Sequence, residues 1–208
     1  MASHPRLFYN NDGSHLIYLP PPVSLDAFVY ETAGYLFGTQ VDAVVCHMFG
    51  FGDAIPLFPT EVPEAKGIEL DQVEWVSEWR QQEIMRLLFD QGIDPWKASL
   101  EAAHEAGMEF WAGLRFNDLH GGRFQWKSEF RVNHPEYELG NQCPSGEHQS
   151  DPERPCHGLN FAVPEVRVHR LAQVEEVCTR YDVDGFEWDL NRHPGHHFPD
   201  LRAGAPIL

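Results

Sequence analysis

Short apolar runs and longer stretches of helical spacing follow one another along the chain. The apolar runs predict strands at 7–11, 43–49, 109–117 and 184–191. Apolar residues at helical spacing, bounded by proline or glycine, predict helices at about 24–37, 71–91, 96–106 and from Pro164 onward. Four successive strand-then-helix units imply parallel strands joined by right-handed crossovers.

Two architectures contain such units: a doubly wound open sheet and a (β/α)8 barrel. The open sheet predicts a glycine-rich phosphate loop after the first strand, but residues 10–15 read Asn-Asn-Asp-Gly-Ser-His and lack that pattern. The barrel predicts polar residues at the carboxyl end of every strand, and all four strands have them. We therefore predict an α/β fold of the (β/α)8 TIM-barrel type.

The number of units is only half of what a barrel requires. A complete barrel has eight strands in about 250 residues. This chain of 208 residues offers four strands. We therefore expect residues 1–208 to form the N-terminal half of a barrel. Half a barrel exposes a parallel strand edge, so the partner we expect is a second half-barrel or a second copy of the chain.

The charge of the chain narrows the range of partners. Its formal net charge of -17 leaves no basic footprint for nucleic acid or an anionic membrane, so we expect neither as a partner.

No apolar run approaches the length of a membrane span, and the first residues contain no signal-peptide core. We expect a cytoplasmic protein as the sequence stands, with export if a signal peptide lies upstream.

The fourth predicted strand carries the most informative pattern in the chain. Phe186, Trp188 and Leu190 alternate with Glu187 and Asp189, so an apolar face lies opposite a face with two carboxylates. A barrel strand that packs on helices outside and meets a polar substrate inside needs this arrangement. Carboxylates at i and i+2 suit paired acid–base chemistry or the orientation of a ligand.

Several segments together are similar to a known family. Phe161–Arg167, a helix, and then Tyr181–Asp189 resemble the bacterial glycosyl-hydrolase-like TIM-barrel proteins of the family ten-like type. Leu114–His120 and Asn133–Tyr137 also resemble that group. The likeness covers nearly the whole chain but only the N-terminal half of such a barrel. It implies a carbohydrate substrate, which the protein would hydrolyse or bind.

The resemblance gives the two carboxylates candidate roles. Asp189 would be a nucleophile, a general base or an anchor for a sugar hydroxyl, and Glu187 would be the acid. In the alternative interpretation, Glu187 forms a buried ion pair with Arg115 or Arg192 and holds the interior together.

Polar residues at the strand ends are candidates for substrate binding. Trp126, in the loop after the third strand, is a candidate stacking platform for a sugar ring, or else a plain cover over the core. Asp118 has the alternative role of capping the turn that follows. The candidates at the strand ends are Asn11, Asp12, His47, Arg115, Asn117, Asp118, His120 and Arg192.

The segment 121–158 is long for a loop between a strand and a helix. In a barrel it would lie over the mouth, so we interpret it as a lid with Phe124, Trp126 and Phe130 as apolar anchors.

Two other functions stay open. A metal-dependent hydrolase would use His193, His196 and His197 together with residues at the strand ends, but loop histidines at this spacing are more often solvated. We accordingly predict neither a metal nor a cofactor. A carbohydrate-binding barrel without catalysis is the other alternative.

Overall fold

The computed structural model describes residues 6–50, 52–67, 76–117, 126–140 and 156–190. Within these residues, four parallel strands form one sheet in sequential order, and two further strands form an antiparallel pair. The sheet contains β1 (Phe8–Asn11), β2 (Ala43–His47), β3 (Glu109–Arg115) and β6 (Gly185–Asp189). The pair contains β4 (Glu138–Gly140) and β5 (Cys156–Leu159).

Helices connect the strands, and local capping signals set where two of them begin. The Ser24 hydroxyl accepts from the Ala27 amide before α1, and the Asp94 carboxylate accepts from the Lys97 amide before α3. In the described part of the chain, no helix is long and apolar enough to cross a membrane. The helices are α1 (Leu25–Thr32), α2 (Val76–Asp90), α3 (Pro95–Glu105), α4 (Glu129–Asn133) and α5 (Pro164–Arg180).

One hydrogen bond shows that the sheet is strongly curved. The Asn10 side chain on β1 donates to Glu187 Oε1 on β6 at 2.5 Å. On a flat sheet these strands would lie about 14 Å apart, since three strand spacings separate them. Their side chains can meet only if the sheet bends around them. Sequential parallel strands on a curved sheet form a partial (β/α)8 barrel, so the predicted fold class is confirmed.

The convex face of the sheet packs against the helices. Val44, Cys46, Phe110 and Ala112 alternate with the concave-face residues and are completely buried. They form one core together with the helices, in which Trp96 of α3 packs edge-to-face on Phe110 at 5.0 Å. The apolar side of β6 joins this packing through Phe186.

The structure corrects several predicted boundaries. The predicted helix at 24–37 ends at Thr32 and is followed by a short 3-10 turn, Gly34–Leu36. The Thr32 carbonyl oxygen accepts a hydrogen bond from the side-chain amide of Asn11 instead of continuing the helix. The predicted strands at 43–49 and 109–117 end two residues early, and β6 covers five residues of the predicted 184–191.

The predicted lid segment also contains regular structure. Residues 126–140 include α4 and β4, and β4 pairs with β5. Phe130, one of the three expected anchors, packs with Leu159, Phe161 and Val166 in a second small core. Phe124 lies outside the described residues, and the action of this segment as a lid stays a prediction.

A buried ionic network joins this segment to α5. Asp53 Oδ2 accepts from Arg170 of α5 at 2.9 Å, and Asp53 Oδ1 lies 3.4 Å from Arg131 of α4. Asp53 Oδ1 also accepts from the Ser128 amide at 3.2 Å. All three charged side chains are almost entirely buried. The single carboxylate therefore connects two arginines from different elements.

A second buried polar cluster lies behind β1. His15 Nδ1 lies 2.9 Å from Asn11 Oδ1, and His15 Nε2 lies 3.2 Å from the Thr32 hydroxyl. Burial lowers the pKa of His15 to about 4, from an ordinary value of 6.5. The imidazole is therefore neutral in the folded protein at neutral pH.

We expect Asp53→Ala to lower the free energy of unfolding by about 3–5 kcal/mol, because it leaves two buried guanidinium groups without their shared carboxylate. Glu83→Ala, which removes an exposed pair with Arg86, serves as the control and should cost no more than about 1 kcal/mol. Urea denaturation measures both changes. Equal losses in the two variants would contradict the assigned role of Asp53.

We expect His15 to contribute to acid destabilisation. The unfolded chain protonates this residue near pH 6.5 and the folded chain only near pH 4, so its contribution to stability is complete above about pH 6.5. That contribution is lost as the pH falls towards 4. His15→Gln should therefore weaken the pH dependence of the urea midpoint across this range. An unchanged dependence would show that His15 is not buried as a neutral group.

Candidate functional site

Three residues in one row across the concave face form the centre of the candidate site. His47 of β2 is in register with Gly113 of β3, and Gly113 is in register with Glu187 of β6. A Cβ on Gly113 would lie only 2.8 Å from His47 Cδ2. Because Gly113 has no side chain, the His47 ring lies across β3 and places its Nε2 3.8 Å from Glu187 Oε1.

Asn10 completes this cluster from the far side of the sheet. Its bond to Glu187 brings residues of β1, β2 and β6 to one carboxylate on the concave face. Of the three, His47 is buried, whereas the Glu187 side chain is 37% exposed. The carboxylate is therefore oriented by protein groups and still open to a ligand.

A second carboxylate lies one row nearer the carboxyl edge of the sheet. Asp189 Oδ2 is 3.9 Å from Nε of Arg115, its register partner on β3. Arg115 also donates to Asp12 Oδ2 at 2.7 Å. Burial alone would raise the pKa of Asp12, but hydrogen bonds from Ser14 and the charge of Arg115 hold that pKa below its ordinary value. Arg115 thus links the loop after β1 to the end of β6.

The row below Glu187 contains Val45, Trp111 and Gly185 beside Asn10, and it repeats the use of glycine. The indole of Trp111 on β3 lies over Gly185 of β6, where an added Cβ would come within 2.6 Å of the ring. Phe8 of β1 packs edge-to-face against Trp111 at 5.2 Å. Trp111 therefore forms the floor beneath Glu187.

Five of the predicted site residues come together on the concave face. Glu187, His47, Asp189, Arg115 and Asp12 form the connected arrangement described above. The alternation predicted for the fourth strand is confirmed. Glu187 lies 3.8 Å from the His47 imidazole, whereas Arg115 lies beside Asp12 and Asp189. Arg192, the other arginine of the alternative interpretation, lies outside the described residues.

Three other predicted residues have structural partners instead. Asn11 points to the convex side, where it donates to the Thr32 carbonyl and accepts from the Gly13 amide. The Asn117 side chain is buried and exchanges two hydrogen bonds with the backbone of Leu159.

Trp126 is anchored on α2. Its indole nitrogen donates to the buried carboxylate of Glu78 at 2.6 Å. This contact holds the start of the segment that carries α4, and the action of Trp126 as a stacking platform stays a prediction.

The remaining candidates Asp118, His120 and Arg192 lie outside the described residues, as do His193, His196 and His197. Among the residues the structure does describe, no group of three or more His, Cys, Asp or Glu side chains could hold a metal ion. The histidines of the metal-dependent alternative lie outside these residues, so that alternative stays untested.

Sequence reasoning left out two residues that the structure makes central. The candidates at the strand ends do not include Asn10, although period-2 alternation places it on the face opposite Asn11. Gly113 gave only a weak signal, because a glycine inside a predicted strand indicates a close approach without naming the group that approaches.

Comparisons with known proteins concern the fold alone. No family model and no curated protein matches the chain. Among solved structures, the maltogenic alpha-amylase AmyB from Thermotoga neapolitana is 15% identical with a TM-score of 0.45, over 87% of this chain and 38% of that one. The galactosidase domain of the alpha-galactosidase-sucrose kinase AgaSK is 18% identical with a TM-score of 0.45, over 90% and 21%. The chain thus spans well under half the length of either protein.

We expect Gly113→Ala to displace the His47 ring, because the new methyl group would occupy space that the ring now fills. The variant should lose about 1–3 kcal/mol of stability, and the His47 ring resonances should shift. Gly34→Ala is the matched control, since its Cβ would meet no atom nearer than 3.4 Å. Urea denaturation and NMR measure the two effects. If both glycine variants behave alike, the His47 ring does not depend on the absence of a side chain at Gly113.

Proposed function

We propose that the chain binds carbohydrate and hydrolyses glycosidic bonds at the carboxyl edge of its parallel sheet. The observation that carries the proposal is the convergence of Asn10, His47 and Glu187 on the concave face, one row below Asp189. Glycoside hydrolysis generally needs two carboxyl groups on either side of the scissile bond. Glu187 and Asp189 extend from the same face of one strand, and both are partly exposed.

The neighbours of each carboxylate support different roles. Asp189 lies beside the guanidinium of Arg115, which pairs with the carboxylate form that a nucleophile or general base requires. Glu187 accepts a hydrogen bond from the uncharged Asn10 amide, and its side chain is the more exposed of the two. We assign Glu187 the proton-donating role, and Asp189 the role of nucleophile or base.

The remaining groups suit a sugar substrate. Asp12 and Arg115 lie at the rim beside Asp189, where their oxygen and nitrogen atoms can hydrogen-bond hydroxyl groups. The similarity of the strand motifs to glycosyl-hydrolase-like barrels of the family ten-like type agrees with this proposal. The proposed chemistry uses side chains of this chain and calls on no cofactor.

A panel of aryl glycosides and oligosaccharides tests the proposal on the purified chain. Asp189→Asn and Glu187→Gln preserve shape but remove the carboxylates, so each should reduce turnover about 10²–10⁴-fold. Asp90→Asn, at an exposed position on α2, is the control and should retain full turnover.

Two results would count against the proposed reaction. Normal turnover in both carboxylate variants would exclude the catalytic pair. Glycan binding by the wild-type chain without any turnover would identify a non-catalytic carbohydrate-binding barrel.

A further inference from the structure

The Asn10 side chain bonds to a different part of the sheet from the side chains of its neighbours in sequence. Asn10, Asn11 and Asp12 follow one another at the end of β1, yet their side chains have three different partners. Asn11 bonds to Thr32 behind the sheet, and Asp12 pairs with Arg115 at the rim. Asn10 alone reaches across the concave face, where it donates to Glu187 Oε1 at 2.5 Å.

The contact is not a by-product of strand pairing. In the backbone register, Asn10 of β1 is opposite Val45 of β2, and Glu187 of β6 is opposite Gly113 of β3. Two strands therefore separate Asn10 from Glu187, and only the side chains connect them. Curvature of the sheet brings the two groups together.

Among the described residues, few other groups hold the Glu187 side chain. His47 of β2 lies 3.8 Å away, beyond hydrogen-bond distance, and β3 presents only Gly113 at this row. On β6 itself, Asp189 lies two residues further along and pairs with Arg115. The amide of Asn10 is neutral, so its removal changes the orientation of the carboxylate without changing the charge of the site.

We infer that Asn10 is a positioning residue that fixes the Glu187 carboxylate on the concave face in the orientation used for the reaction. The inference rests on the proposed function for its catalytic consequence, but the contact itself can be tested without any substrate. Asn10 is exposed and belongs to no buried cluster, so its replacement should leave the fold intact.

The first experiment uses NMR of the chain with ¹³C-labelled glutamate carboxyl groups, with the Glu187 signal identified by its loss in Glu187→Gln. Asn10→Ala should move this signal, because the carboxylate loses its hydrogen-bond donor. Asn133→Ala is the matched control, because it removes the same kind of bond, from an asparagine amide to Glu64 Oε1 at 2.6 Å. The control should move the Glu64 signal and leave the Glu187 signal unchanged.

The second experiment measures turnover in any assay that the wild-type chain supports. Asn10→Ala should lower kcat about tenfold to a hundredfold with little change in KM, as expected when a reacting group is misplaced. Asn10→Asp keeps the shape but replaces the donor by an acceptor, and it should lower kcat at least as much.

The two experiments separate the two ideas. A wild-type chain without activity would overturn the proposed function, whereas the NMR result would still decide the Asn10 contact. An unmoved Glu187 signal in Asn10→Ala would overturn the inference, whatever the turnover. A moved signal with unchanged kcat would overturn the positioning role while leaving the contact established.

Discussion

The curvature of the parallel sheet is the constraint on which the candidate site depends. Asn10 and Glu187 meet although two strands lie between them, and this is possible only because the concave face folds their side chains towards each other. Glycine makes room for a large side chain at two positions in the sheet. Gly113 admits the His47 ring over β3, and Gly185 admits the Trp111 indole over β6. The sheet can therefore carry large side chains inside a tight bend without steric conflict.

Polar residues at the carboxyl edge of the sheet have two different roles. Asp189 and Arg115 face the concave side and remain partly accessible. Asn11 and Asn117 bond to backbone groups of neighbouring segments and thereby hold those segments in place. A buried amide is stable only when such partners satisfy it, so its position next to site residues in sequence does not make it a ligand.

The segment that follows β3 depends on charge as much as on apolar packing. Asp53 joins Arg131 of α4 to Arg170 of α5, and the Trp126 indole bonds to Glu78 of α2. Buried ions tolerate few alternative arrangements, because each must keep its partners once it has left water. The network therefore fixes where this segment runs, whereas the sequence predicted only a long loop that acts as a lid.

The sequence by itself determined the order of the four parallel strands and of α1, α2, α3 and α5, the barrel class and the phase of β6. These follow from local periodicity, since alternation decides which of Glu187 and Phe186 faces the core, whatever lies around the strand. It could not predict the exact ends of the elements, the pairing of β4 with β5, or the roles of Asn10 and Gly113. Those depend on contacts between residues far apart in the chain. Only the tertiary structure decided them, because the bend of the sheet sets which distant side chains come within bonding distance.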